Sequence, residues 1–461
     1  MRQVEVAPVA VAPDGSRRMR LARQASITLI AAAGSTILII ACGERGRSTA
    51  KPDTAASATY SVSPQPLGPI PADDSLARPK SLRQVGLPIA LTGSVTPKDN
   101  PQTPEKIALG EKLFFEGRLS ADGSVACASC HQPTLAFTDG RALSVGIRSR
   151  VGQRNAPTVL NALYNKTQFW DGHATTLEQQ VGFPIVNPVE MGQPNLDSAI
   201  ARIAAIPEYR ATFIRVFARP PNATDMLRAI ASYERSLVSF DSPFDHFVAG
   251  DSSAISASAK RGWVLFNSRG RCNLCHALTD TTSRPTTFTD DTFHNIGIGI
   301  VRHQVVPLAR QTKQSIAKGD TIGVDQAAIL TPMSALGRFL VTRGDSDIAS
   351  FKTPDIRNVM VTAPYFHDGS AATLWDVVDH YNKGDGLQNP WLDVDIQPLA
   401  LHENEIDDLV ALMASLTSPS YRELGEKELA RQRQLSRTSR PQRDSARAFG
   451  PKPVQPKPLG L

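Results

Sequence analysis

The chain has 461 residues and a net charge of +6, placed unevenly: residues 1–41 carry a net +3, residues 421–461 a net +6, and the body between them a net −3. Basic charge confined to the two ends excludes a nucleic-acid-binding face, which needs basic residues clustered on the folded body. Residues 82–420 are long enough, and apolar enough, for two globular domains.

The amino terminus opens with Arg17, Arg18, Arg20 and Arg23, followed by an apolar run from Ile27 to Ala41. The run closes on Ile39-Ile40-Ala41-Cys42, which resembles a bacterial lipobox. Residues 1–41 therefore read as a lipoprotein signal peptide, and Cys42 as the lipid-attachment residue. This predicts an exported, lipid-anchored body on the periplasmic side of a bacterial membrane. The run is shorter than the roughly 20 residues of a spanning helix, although an uncleaved anchor is the alternative. Met19 competes with Met1 as the start. Residues 42–81, rich in Ser, Ala and Pro, read as a flexible tether.

The body repeats itself. Gly110-Glu111-Lys112-Leu113-Phe114 precedes Cys127-Ala128-Ser129-Cys130-His131, and Gly262-Trp263-Val264-Leu265-Phe266 precedes Cys272-Asn273-Leu274-Cys275-His276. Cys-x-x-Cys-His suits covalent c-type haem attachment: two thiols reach the two vinyl groups of one porphyrin, and the histidine lies under the iron. The alternative is a zinc knuckle or redox dithiol. Each dithiol has its own histidine, however, and with only Cys42 outside the two motifs no further cysteine pair remains to complete a four-sulfur site beside either. Gly-x-x-Leu-Phe at helical spacing puts Gly and Phe on one face, where glycine admits a crossing helix. Met226, Leu227, Ile230, Tyr233 and Leu237 supply one such helix, and Ile406, Leu409, Val410, Met413 and Leu416 the other.

Each half thus resembles a cytochrome c domain. The expected fold is all-α, with two such domains at 82–250 and 251–420. Each has long loops and holds one covalent haem. Residues 421–461, rich in Arg, Ser, Pro and Gln, read as a basic tail, disordered after a short helix; it is either solvated or bound to anionic lipid or cell wall.

Further motifs lie between and after the haem sites. They include Gly152-Gln153-Arg154-Asn155-Ala156-Pro157-Thr158-Val159-Leu160-Asn161, Phe169-Trp170-Asp171-Gly172-His173-Ala174 and Asn187-Pro188-Val189-Glu190-Met191-Gly192. After the second haem come Phe293-His294-Asn295-Ile296-Gly297, Phe351-Lys352-Thr353-Pro354-Asp355-Ile356-Arg357-Asn358 and Ala363-Pro364-Tyr365-Phe366-His367-Asp368-Gly369. This set and its order resemble the bacterial di-haem cytochrome c peroxidase family, in its MauG-like branch, over residues 82–420.

The resemblance implies that the first haem, on His131, takes hydrogen peroxide and that the second, on His276, passes electrons. It makes Glu190 the distal acid/base, Gln180 an amide that bonds peroxide, and Trp170 the stepping stone between haems. It also implies an inter-domain Ca²⁺ held by Asn155 and the carbonyls of Thr362 and Pro364.

Two departures matter. The position of a blocking distal histidine is Ile147, and no His or Met occurs from Gln132 to Gly172, so the first haem should be open without prior reduction. Fourteen residues after His367, where a methionine ligand is expected, stands Tyr381; Met360 and Met413 are off register, and His380 is the rival. Tyrosinate is a hard donor favouring ferric and higher-valent iron.

Three functions follow from the resemblance. The first is peroxide reduction with electrons from a small cytochrome or quinol. The second is MauG-like oxidation of a partner protein's side chains. The third is a non-enzymatic di-haem electron carrier, against which an open haem beside Glu190 argues.

Overall fold

In the computed structural model the described residues are 95–278, 286–320, 323, 328–384 and 389–448, with side chains described to 438. Every described residue belongs to one unit, within Pro64–Leu461. The expected signal peptide, Cys42, the tether over 42–81 and the end of the tail lie outside the described residues. Among the described residues no helix is long and apolar enough to cross a membrane.

The described chain is helix-rich. The main helices are α1 (Pro104–Phe114), α2 (Leu177–Val186), α3 (Leu196–Ala204), α4 (Pro207–Phe217), α5 (Ala223–Glu234), α6 (Ala257–Phe266), α7 (Val305–Ala317), α8 (Leu374–Lys383), α9 (Glu403–Ser415) and α10 (Arg422–Ala448). Two short strands, β1 (Phe293–His294) and β2 (Phe351–Lys352), pair antiparallel with Phe293 opposite Lys352. An all-α expectation omits this pair.

Side-chain caps start most of these helices. Thr103, Asn222, Ser256 and Thr373 each accept a bond from a first-turn N–H, of α1, α5, α6 and α8 respectively. Long loops separate them, and each haem motif follows one of the glycine-bearing helices.

The two glycines do what their spacing predicts. A Cβ on Gly110 would lie 1.9 Å from the Ala229 carbonyl oxygen of α5, and one on Gly262 would lie 2.1 Å from that of Asp408 in α9. Backbone touches backbone at both crossings, so neither position admits a side chain. Phe114 closes the first crossing, its ring 5.2 Å from that of Tyr233.

Separate apolar cores surround the crossings. One is built on Leu113, Phe114, Phe137, Ile185, Phe213 and Tyr233, the other on Phe244, Phe266, Phe288, Trp375, Ile406 and Leu409. A third cluster, from Ile300 through Ala349 and including Val305 and Phe339, was not legible in the sequence.

The tail expectation needs correcting. Residues 422–448 form α10, and it docks: Gln432 is buried, donates to the Met360 carbonyl at 3.1 Å and the Tyr365 hydroxyl at 2.9 Å, and accepts from the Leu374 N–H. Compositional bias toward Arg and Gln hid a helix whose inner face carries Leu424, Leu429 and Gln432.

Candidate active site

Both haem motifs are preorganised alike. Cys127–Cys130 is a single helical turn, and Cys272–Leu274 a tighter 3-10 turn. All four thiols are unpaired with one another. His131 Nδ1 lies 3.0 Å from the Phe137 carbonyl, and His276 Nδ1 lies 2.8 Å from the Phe288 carbonyl. A carbonyl accepting from Nδ1–H fixes the tautomer and leaves Nε2 as the basic nitrogen, the arrangement metal-ligating histidines use. Burial pushes both imidazoles below their usual range, keeping them neutral.

A turn at 187–192 follows α2, its Glu190 and Gly192 N–H groups both donating to the Asn187 carbonyl. Glu190 is half-buried on it, and burial pushes its carboxyl up to about 7. His173 is the charged group acting on it, and Asn187 Nδ2 donates to Oε1 at 2.9 Å. The Glu190 charge acts in turn on the thiols of both Cys127 and Cys130.

Ile147 donates its N–H to the Glu190 carbonyl at 2.9 Å, and its side chain packs on Gly192. An inert aliphatic group thus sits beside the distal turn. Gln180 lies half-buried on α2, on the face shared by Pro184 and Asn187.

The second site is a cavity of about 270 Å³ lined by Cys272, Cys275, His276, Tyr381 and Met413. Tyr381 faces it, whereas His380 turns away, its Nε2 2.8 Å from the Ile296 carbonyl. Burial raises the Tyr381 phenol pKa, so without a cation at its oxygen it stays protonated. Met413, off register in sequence, also reaches the cavity wall, because α9 crosses beside it. Met360 is fully buried elsewhere.

Trp170 reaches the same cavity from the first half, together with Asn155, Thr362 and Pro364. Its indole N–H donates to the Asn155 carbonyl at 2.9 Å, and its own carbonyl accepts from the Lys352 N–H at 2.7 Å. Asn155 further donates Nδ2 to the Arg141 carbonyl at 2.7 Å and its N–H to the His367 carbonyl at 2.8 Å. The three residues proposed for calcium therefore share one wall, with much of Asn155 already bonded.

Sequence reasoning missed His367. It stacks on Phe351 at 3.6 Å, stands edge-on to Trp170 at 6.5 Å, and burial pushes it down to about 3. Its Nε2 is buried without a hydrogen-bond partner while the residue lines the second cavity. An orphaned nitrogen in a cavity floored by two cysteines and a histidine fits a haem, whose propionate oxygens are acceptors for such a group.

The signal was present. Phe169-Trp170-Asp171-Gly172-His173-Ala174 and Phe366-His367-Asp368-Gly369-Ser370-Ala371 are one motif twice. Both carry positive φ at Phe and Gly, and each is closed by an antiparallel bridge, Gln168 to Ala174 and Tyr365 to Ala371. Trp170 and His367 are equivalent positions meeting face to edge.

Residues 104–253 match the family model described as di-haem cytochrome c peroxidase. The chain is 36% identical over 364 residues to the methylamine utilization protein MauG of Methylorubrum extorquens, covering 78% of this chain and 88% of that protein. The chain belongs to the bacterial di-haem cytochrome c peroxidase family.

It is also 32% identical over 329 residues to the cytochrome c551 peroxidase of Pseudomonas aeruginosa, covering 70% of this chain and 82% of that one. Among solved structures, a MauG-like protein associated with microbial copper homeostasis superposes with a TM-score of 0.59 at 30% identity, over 70% of this chain and 92% of its own. The diheme peroxidase BthA of Burkholderia thailandensis shares the fold, with a TM-score of 0.54 at 24% identity over 70% of this chain and 88% of its own. As a di-haem peroxidase, MauG-like in its relatives, the chain is an oxidoreductase acting on hydrogen peroxide with electrons from a donor.

Proposed function

We propose that the pocket beside His131 is the peroxide site and that Glu190 moves the proton there. One observation carries this reading: a carboxyl pushed up to about 7 by burial, whose charge reaches both Cys127 and Cys130. A group poised near neutrality both takes and returns a proton efficiently. When bound, a c-type haem supplies the iron and the electron path. Cys127, Cys130 and His131 would hold one, and Cys272, Cys275 and His276 the other, each in a cytochrome c-like domain.

Glu190 takes the proton from the near oxygen of peroxide and returns it to the leaving one. Gln180 orients the substrate by hydrogen bonding. Ile147 offers no donor atom, so peroxide enters freely. Trp170, wedged between the Asn155 carbonyl and the second cavity, passes electrons between the halves. Tyr381 would be a further ligand to the second iron, and Asn155 with the Thr362 and Pro364 carbonyls would hold a calcium ion between the halves.

The electron donor on this reading is a small cytochrome or quinol, and the protein works on the periplasmic side of the membrane, anchored through lipid on Cys42. Tyr381 on the cavity wall, with the identity to MauG, favours a second reading in which partner side chains are oxidised instead. Steady-state peroxide reduction with reduced cytochrome c tests the first. Rapid turnover is expected; no turnover by protein carrying both haems would leave the partner-oxidase reading.

A further inference from the structure

The two halves meet along a buried polar seam that no step above uses. Matching Trp170 to His367 makes Asn155 the counterpart of Lys352 and Asn161 the counterpart of Asn358. The bonding obeys the match. Asn161 and Asn358 both take the left-handed backbone conformation, with φ of 62° and 57°, which asparagine tolerates. Asn161 donates its N–H to the Leu237 carbonyl at 2.9 Å, and its Oδ1 accepts from the Ser239 N–H at 2.8 Å. Asn358 repeats both bonds, with the Leu416 carbonyl at 3.1 Å and the Ser418 N–H at 2.9 Å. Ser239 and Ser418 are therefore counterparts too, each a few residues beyond the end of a closing helix, α5 or α9.

At these serines the copies touch. Ser239 Oγ lies 2.7 Å from Ser418 Oγ and also accepts from Asn358 Nδ2 at 3.1 Å. A residue meeting its own counterpart marks the axis of a two-fold contact. None of Asn161, Ser239, Asn358 and Ser418 is more than 4% exposed, so bulk water cannot replace a lost partner there. Two short loops run from this point to the second cavity. Residues 155–161 end on Asn155, whose N–H donates to the His367 carbonyl at 2.8 Å and whose carbonyl accepts the Trp170 indole N–H at 2.9 Å. Residues 352–358 end on Lys352, whose N–H donates to the Trp170 carbonyl at 2.7 Å. Each loop thus has one end on the serines and the other on the contact between Trp170 and His367.

We propose that Ser239 and Ser418 form a pin that registers the two halves and so sets the contact of Trp170 with His367 across which electrons pass. The inference rests on the bridging role given to Trp170 above. Reduction of one hydrogen peroxide breaks one O–O bond, consumes two electrons from the donor and two protons from solvent, and releases two waters. Electrons that enter at the second centre have to cross this seam. A slip at the pin is carried along either loop to the Trp170 indole. Neither serine lines the second cavity. Both are positioning residues that act through the loops they hold.

The test compares the haem-loaded full chain with Ser418→Ala and Ser239→Ala. The first removes the bond between the hydroxyls and leaves the Ser418 N–H on Asn358; the second also takes the acceptor from the Asn358 amide. We expect both variants to keep two haems, the parental spectrum of each and the parental KM for peroxide. The distribution of distances between the two ferric centres, read by dipolar electron paramagnetic resonance, should broaden in Ser418→Ala and more so in Ser239→Ala. After pulsed reduction of the second haem, electron passage to the first should slow about tenfold or more in Ser239→Ala, and by a smaller factor in Ser418→Ala. A lower melting temperature with parental distances and transfer rate would make the serines mere stabilisers of the fold and overturn the pin. If Ser239→Ala fails to load haem, Ser418→Ala decides alone, and parental distances and rate in it overturn the pin. Trp170→Phe separates the two readings: parental transfer in that variant, with broadened distances in the serine variants, would overturn the bridge and spare the pin.

Discussion

Replacing Glu190 by Gln separates catalysis from stability, because the two effects run in opposite directions. The carboxyl is lifted from an ordinary 4.5 to about 7, chiefly by burial. At 1.36 kcal/mol for each pKa unit, that lift corresponds to about 3 kcal/mol favouring the protonated form in the folded protein. The folded state therefore binds this proton more tightly than the unfolded chain does. Stability from this group is fully present below pH 4.5 and is lost as pH rises through about 7. Gln imitates the protonated acid and cannot ionise. At pH 8 the variant should melt at the same temperature as the parent or higher, by up to the equivalent of about 3 kcal/mol; at pH 5 the gap should shrink to about 1 kcal/mol or less. Peroxide turnover should move the other way, falling about 10²-fold or more as the base is lost. The parent's limb of rising rate near pH 7 should vanish with it. Steady-state kinetics and thermal melts of haem-loaded protein at both pH values make the measurement. A variant destabilised equally at pH 5 and pH 8 would refute the reasoning about burial, and one with parental turnover would refute the role of the carboxyl.

Three other outcomes follow from the geometry. Tyr381→Phe should turn the second haem high-spin by electron paramagnetic resonance, and Tyr381→Met should raise its potential; an unchanged spectrum in the Phe variant would point to Met413, which shares the cavity wall. Fully oxidised enzyme should respond spectrally to peroxide in stopped flow without a reduction step, since Ile147 has no donor atom; a strict requirement for prior reduction would mean that another group blocks the iron. Gly262→Ala should destabilise the second half by about 1–3 kcal/mol or more, because its Cβ would lie 2.1 Å from the Asp408 carbonyl oxygen; a parental melting temperature with full haem loading would mean that the helices separate freely.

What the sequence made legible was whatever depends on local spacing. Cys-x-x-Cys-His announced the two turns that end on His131 and His276, and Gly-x-x-Leu-Phe announced both crossings, because each is a short-range geometric requirement. Register counting put Tyr381 on the second cavity and is consistent with His380 facing elsewhere. What stayed hidden depends on contacts distant in sequence. Met413 lies on another helix, so counting from His367 could not reveal it. The orphaned nitrogen of His367 and the bond between Ser239 and Ser418 exist only once loops close. The length of α10 was masked by its polar outer face, and the cluster around Val305 and Phe339 lay in a stretch without motifs.

The doubled turn-and-helix unit bears on how such an enzyme diversifies. Aligning Trp170 with His367 aligns Thr176 with Thr373, the two helix caps, and further along sets Pro184 of α2 against Tyr381 of α8. With Tyr381 as ligand, this helix position brings an oxygen to the second centre, whereas proline, like Ile147, brings no donor atom to the first. Two copies of one frame are then made unequal by point changes rather than by new architecture. Exchange at this position gives a doubled frame a short route to division of labour, although on α8 it also touches the second core, where Tyr381 packs.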